Sequence, residues 1–332
     1  MSIHDYFAVI ARKKAGGGES NFDIDTYTGT GATLERSPLS FQPDAVWLKS
    51  RSTTESHHIY DVVRGATKSI QPGENTAEET NAAGLTSFDA DGYTVGTYAE
   101  VNTLSDEYVA WCFGLGGSGS SNTAGTINST VSAASNGFMS AVKYTGTNGS
   151  GANEETVGHG LGDVPEAYIV KELTSSSTGG LLYTDIFDGS LDYMFWNSTG
   201  AAAGSASNNP TSSAFSIGGS INTSGKNYIA YAFRNVSGQC KVGKYTGNGS
   251  TSGPSITGLG TTGRAVIIKQ SNATRDWVQL DDQRTDQYFR WNPVSADTAG
   301  AWVTWTSDGF DIKSDATNVN VNGGTYFYIL FG

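Results

Sequence analysis

Hydrophobic and polar positions along this chain change too quickly for helices. Apolar runs of four to seven residues are cut by clusters of Gly, Ser, Asn and Asp, the punctuation of strands and turns. Alternation of period two, as in Asp23-Ile24-Asp25, Phe310-Asp311-Ile312 and Trp302-Val303-Thr304-Trp305, fits half-buried strands. In the first hundred residues the pattern predicts strands at 22–28, 45–50, 57–63, 86–96 and 107–113. Ten-residue apolar stripes at helical spacing are almost wholly missing.

The pattern repeats three times. Tyr-Thr-Gly occurs at Tyr27-Thr28-Gly29, Tyr144-Thr145-Gly146 and Tyr245-Thr246-Gly247. Each is followed by an apolar run closed by lysine: Val46-Trp47-Leu48-Lys49, Tyr168-Ile169-Val170-Lys171 and Val266-Ile267-Ile268-Lys269. A last strand begins at Tyr108, Tyr228 and Tyr326, lying 81, 84 and 81 residues after the first tyrosine. Six residues ahead of each stands an apolar-Asn pair, Val101-Asn102, Ile221-Asn222 and Val319-Asn320. Four markers in one order, three times, define a triplication.

The expected fold is all-β: three tandem β-sandwich domains, jelly-roll-like, behind a short N-terminal arm. The boundaries are an arm at 1–18, repeats at 19–114, 138–234 and 239–332, and a Gly/Ser-rich linker at 115–137. The linker reads as a loop or extended tether, with aromatics filling the layer inside each sandwich. Trp47, Val170 and Ile268 are expected at corresponding places. The arm carries Ile3, Tyr6, Phe7, Val9 and Ile10 ahead of Gly16-Gly17-Gly18. These five are too few for a core; they either pack back on the first domain or dock on a neighbouring subunit or larger assembly, and on the second reading they are the candidate anchor.

Composition agrees. Forty-three glycines suit tight turns, and 11% aromatic residues suit an ordered chain. A net charge of -12 with 20 scattered basic residues excludes a nucleic-acid partner. No signal peptide or membrane-spanning stretch is read, so no membrane insertion is expected. Cys112 and Cys240 fall at different places in the repeat and are expected to be buried thiols, not a disulfide or a zinc site.

Chemistry is hard to place. His57 and His58 are neighbours on a strand and point to opposite faces; His159 lies in a turn as a polar loop residue. Asp89-Ala90-Asp91-Gly92 reads as a hairpin turn, lacking the distal glutamate of a calcium loop. The carboxylate pairs Asp185/Asp188 and Asp281/Asp282 read as surface loops. No nucleophile elbow or phosphate loop occurs. No cofactor, metal or catalytic residue is expected. Most of the seven tryptophans are assigned to the core, with Trp302 and Trp305 as candidate glycan-contact aromatics.

The ordered markers resemble a repeat common in virion proteins of marine bacteriophages. They include Pro43-Asp44-Ala45-Val46-Trp47-Leu48-Lys49-Ser50-Arg51, Ile59 to Gly65, Thr86 to Gly96, Tyr108 to Cys112, Val157 to Gly162 and Lys244 to Ser250. The resemblance spans about residues 22 to 332. It implies a structural virion component such as a short tail fibre, head fibre or decoration protein, assembled in the host cytoplasm. It also implies a homo-oligomer, with a trimer as the expected form. The partners would be other virion proteins, through the arm, and host surface glycans. A carbohydrate-binding adhesin is the alternative, and a polysaccharide depolymerase the third reading.

Overall fold

The computed structural model describes residues 21–147, 154–175, 179–292 and 295–332. The arm and its candidate anchor residues Ile3, Tyr6, Phe7, Val9 and Ile10 lie outside these. The described residues form an all-β structure of antiparallel sheets with only single helical turns, such as Ala99–Asn102 and Thr317–Asn320. Among them no helix is long and apolar enough to cross a membrane.

Each repeat builds a large sheet on the same plan. In the first, Phe22–Thr28 pairs with Glu107–Phe113, which pairs with Ala45–Ser50, then His58–Asp61 and Lys68–Ile70. Met139–Thr145, Asn227–Phe233, Ala167–Glu172, Leu181–Thr184 and Asp192–Phe195 repeat that order, as do Cys240–Thr246, Thr325–Phe331, Ala265–Gln270, Val278–Asp281 and Gln287–Arg290. A small sheet covers one face of each. It has three strands in the first repeat (Leu34–Arg36, Gly92–Val95, Leu85–Asp89) and in the third (Ser255–Ile256, Gly309–Ile312, Val303–Thr306). The second has two, Glu155–Gly158 and Ala214–Ile217. Asp89 pairs with Gly92, so the Asp-rich stretch is a two-residue hairpin turn.

The stretch 115–137 is not a tether. Ser120–Asn122 and Ser129–Ala133 add two strands to the second large sheet, with Val131 opposite Val142. Ser and Thr bond across strands as readily as they fill loops, so composition alone misled. Trp47, Val170 and Ile268 do lie on corresponding strands, but register matches Trp47 with Ile169 and Ile267. These three stand opposite Trp111, Tyr231 and Ile329.

That one-residue offset separates two faces. Leu48, Val170 and Ile268 point into the layer between large and small sheets, where each repeat has its own core. Trp47, Ile169 and Ile267 point the other way, into a fourth cluster drawn from all three repeats. The large sheets pack against one another there, so every residue of Ala45–Ser50, Ala167–Glu172 and Ala265–Gln270 is buried. All five fully or nearly buried tryptophans (Trp47, Trp111, Trp196, Trp277, Trp291) belong to this shared cluster and not to the layers inside the repeats. Trp47 touches Trp196 and Trp291 at ring-centroid distances of 5.8 and 4.7 Å, joining the three repeats directly. The cluster leaves an apolar void of only about 20 Å³.

Candidate functional site

The recurring sequence markers are parts of one clamp. Tyr27 donates its hydroxyl to Val101 O, Tyr144 to Ile221 O and Tyr245 to Val319 O, at 2.6, 2.7 and 2.7 Å. The neighbouring asparagines cap the chain after the motif: Thr30, Thr147 and Asn248 donate backbone N–H to Asn102, Asn222 and Asn320 Oδ1. Tyr108, Tyr228 and Tyr326 stack on the first tyrosines, each pair at 5.0 Å. The motif glycine is needed for close approach. A Cβ at Gly29, Gly146 or Gly247 would collide with the carbonyl of Thr103, Thr223 or Val321.

Contacts between repeats recur in cyclic order. Glu78 N–H donates to Leu173 O, Ala202 to Ser271 O and Asp297 to Arg51 O, at 2.9, 2.7 and 2.9 Å. Leu173, Ser271 and Arg51 each follow the last residue of equivalent strands. First meets second, second meets third, and third meets first, so the repeats close a ring around a pseudo-threefold axis.

Each seam also holds a lysine and a polar or apolar pair at matching positions. Lys171 donates to Glu74 O of the first repeat and Lys269 to Thr199 O of the second. Lys49 lies 5.1 Å from the centre of the Phe289 ring in the third. Burial lowers all three ammonium pKa values from 10.5 to about 8. In the first repeat Asp61 holds Arg64 at 2.6 Å and accepts from Tyr231 of the second at 2.7 Å. In the third, Asp281 holds Arg284 and accepts from Trp111 Nε1 of the first at 3.1 Å. The second repeat has Thr184 and Phe187 in those places, facing the third repeat, whose equivalent of Trp111 and Tyr231 is Ile329. Where the neighbour offers no donor, the buried carboxylate is gone.

Asp281 is thus fully buried, correcting its assignment to a surface loop; sequence could not show that Arg284 and Trp111 await it. Asp188 is exposed as expected. His57 accepts from Trp47 Nε1 at 3.0 Å inside the shared cluster, and burial holds its pKa well below 6.5. His58 faces the other way, 2.5 Å from Glu100. His159, expected as an ordinary loop residue, is buried: its ring lies 3.0 Å from Thr211 O and accepts from Leu161 N–H. Cys112 and Cys240 are free and buried, and burial raises both thiol pKa values. Among the described residues no three His, Cys, Asp or Glu side chains gather at metal-binding distance.

Trp302 and Trp305 do not form an open platform. Both are half-buried against the third core; Trp302 stacks on Tyr288 at 3.8 Å, and Trp305 lies 6.3 Å from Phe310. An open groove occurs instead in the second repeat, holding about 440 Å³ and lined by Tyr183, Tyr193, Phe195, Glu154 and the segment Gly204 to Ser207. The sequence signal was available: Phe195 ends a strand on the same face as Tyr193, and the serine-rich stretch after it brings no aromatic to cover them.

The ring has unlike ends. At one, Phe22, Phe113 and Phe331 meet with centroids 5.1 to 5.2 Å apart. Asn21 N–H reaches Gln239 Oε1, Gly332 N–H reaches Gln239 O, and Gly114 N–H reaches Asn21 O. Residue 21, residue 332 and the crossing from second to third repeat therefore meet at this base. The three Tyr-Thr-Gly clamps lie at the far ends of the same strands, about 20 Å away at the usual rise per residue.

Fold and contacts together define an all-β, sandwich-like protein whose three repeats share a central core. A family model described as a domain of unknown function, DUF7483, matches residues 18–332, and the chain belongs to that family. No curated protein and no solved structure matches it.

Proposed function

We propose that this protein is a non-enzymatic structural component of a bacteriophage virion, a short fibre or head decoration held by residues 1–18 and facing outward with its clamped loops. The virion setting rests on the resemblance of the repeats. The observation that supports such a role is the unlike character of the two ends. Residue 21, which continues the arm, leaves from the base beside the axis, while three equivalent loop sets gather at the opposite end. The carboxylates with the most restrictive surroundings, Asp61 and Asp281, are committed to buried arginines in the seams and face no groove. That use of charge favours a scaffold over a hydrolase.

On this reading the threefold form expected of three chains is supplied by three sandwich-like repeats of one, and a single chain is the working unit. The test is deletion of residues 1–18. The truncated protein should keep its circular dichroism and melting temperature but be absent from assembled particles. Normal incorporation of the truncated chain would refute attachment through the arm.

A further inference from the structure

The second and third repeats can be compared residue by residue beside the groove. Asp192 pairs with Gly204, and its counterpart Gln287 pairs with Ala299. Three residues on from each partner stand Ser207 and Trp302. Seven further residues bring both chains to equivalent strands, Ala214–Ile217 and Gly309–Ile312. The match therefore needs no gap. In the third repeat Trp302 lies over Tyr288 with ring centroids 3.8 Å apart and planes 24° from parallel, and Val303–Thr306 closes the layer as a third strand. In the second repeat Ser207-Asn208-Asn209-Pro210 replaces Trp302-Val303-Thr304-Trp305 and forms no strand. Proline there has no N–H to give to a ladder.

The result is an uncovered aromatic corner. Tyr193 is the counterpart of Tyr288, and Phe195 stands against it edge-on, 5.8 Å away and 42% exposed. Glu154 and Ser207 stand at the rim, with the Glu154 carboxylate accepting from the Asn208 backbone. A concave site with a few polar groups around an aromatic floor is the usual form of a ligand pocket.

We infer that this groove binds a neutral saccharide, one pyranose ring lying on Tyr193 in the place that the third repeat fills with its own Trp302. Trp302 shows what the geometry accepts: a flat ring face to face with tyrosine. A pyranose offers a face of C–H groups to the electron-rich ring and hydroxyls at its edge, donors for the Glu154 carboxylate and partners for the Ser207 hydroxyl. An anionic ligand would meet Glu154 and a chain of net charge -12. A wholly apolar peptide would leave the rim unmatched. The inference does not depend on the virion reading.

Saturation-transfer NMR and titration calorimetry on the full chain test it, using the methyl β-glycosides of glucose, galactose and N-acetylglucosamine. At least one should bind at millimolar concentration, with saturation strongest on one ring face. Phe195→Ala should weaken binding about tenfold, in line with the loss of one aromatic contact. Ser207→Trp should abolish binding while leaving the circular dichroism unchanged, because it supplies the missing cover. Failure of all three glycosides, or binding indifferent to both variants, would overturn the inference. So would dimers that Ser207→Trp dissolves, which would assign the groove to self-association. None of these outcomes bears on particle assembly.

Discussion

Lys49, Lys171 and Lys269 close three equivalent apolar runs, and their position at the seams explains why a charge recurs there. The stem fills the space beside the shared core while the ammonium finds carbonyl oxygens across or along the seam. Their folded pKa values, about 8 against 10.5, mean that the unfolded chain binds more protons between those limits. Stability should therefore rise with pH from about 8 towards 10. Above 10 the buried tyrosines oppose it: Tyr27, Tyr93 and Tyr144 hold their protons far longer when folded, so stability falls as the unfolded phenols ionise. Urea midpoints across this range should show a maximum, and Lys269→Met should reduce the rising limb by about a third, one lysine of three. A sharper test concerns Asp61. Asp61→Ala leaves Arg64 charged and buried and should cost about 3–5 kcal/mol. Replacing both by the residues of the second repeat, Asp61→Thr with Arg64→Phe, should cost less than half as much in the same urea titration.

At the level of strands, much was legible. The predicted strands at 22–28, 45–50 and 107–113 match the structure residue for residue, because apolar runs bounded by turn residues leave little choice. Two things were not. The runs Ala45–Ser50 and Tyr108 to Phe113 are apolar on both faces, the signature of strands covered on both sides. Reading them as half-buried sandwich strands hid the shared core and put Trp47 in register with the wrong neighbours. A slip of one residue in a strand moves a side chain to the opposite face. The strand Ser129–Ala133 was hidden for another reason: its residues are small and polar, and only its pairing with Met139–Thr145 makes it a strand. Backbone amides of Ser129–Ala133 should therefore exchange with deuterium nearly as slowly as those of Met139–Thr145, where a tether would exchange at once. The groove was legible only in part: Tyr193 and Phe195 share one face of a strand and a serine-rich stretch follows, but only the packing shows that this stretch leaves them uncovered.

For the whole molecule, the shared core turns three sequence repeats into one cooperative body. Residues 239–332 taken alone would expose Ile267, Trp277, Phe289, Trp291, Phe327 and Phe331, all buried in the shared cluster. Such an apolar face invites association. The excised third repeat should aggregate or remain unfolded, while the full chain should melt in a single transition that Trp291→Ala lowers without splitting. Independent melting of the excised repeat would show that the ring adds little. Mass measurement of the full chain in solution should give one chain per particle.

Ring closure also sets a timetable. Trp111 waits for Asp281, 170 residues later, and Asp23 waits for Arg264, 241 residues later. At about 5–20 residues per second a ribosome needs roughly 10–30 seconds to make the chain between the first of these partners. For that interval the first repeat stands with its tryptophan face not yet covered by the third. The order of the repeats along the message thus decides which surface must survive longest without its mate.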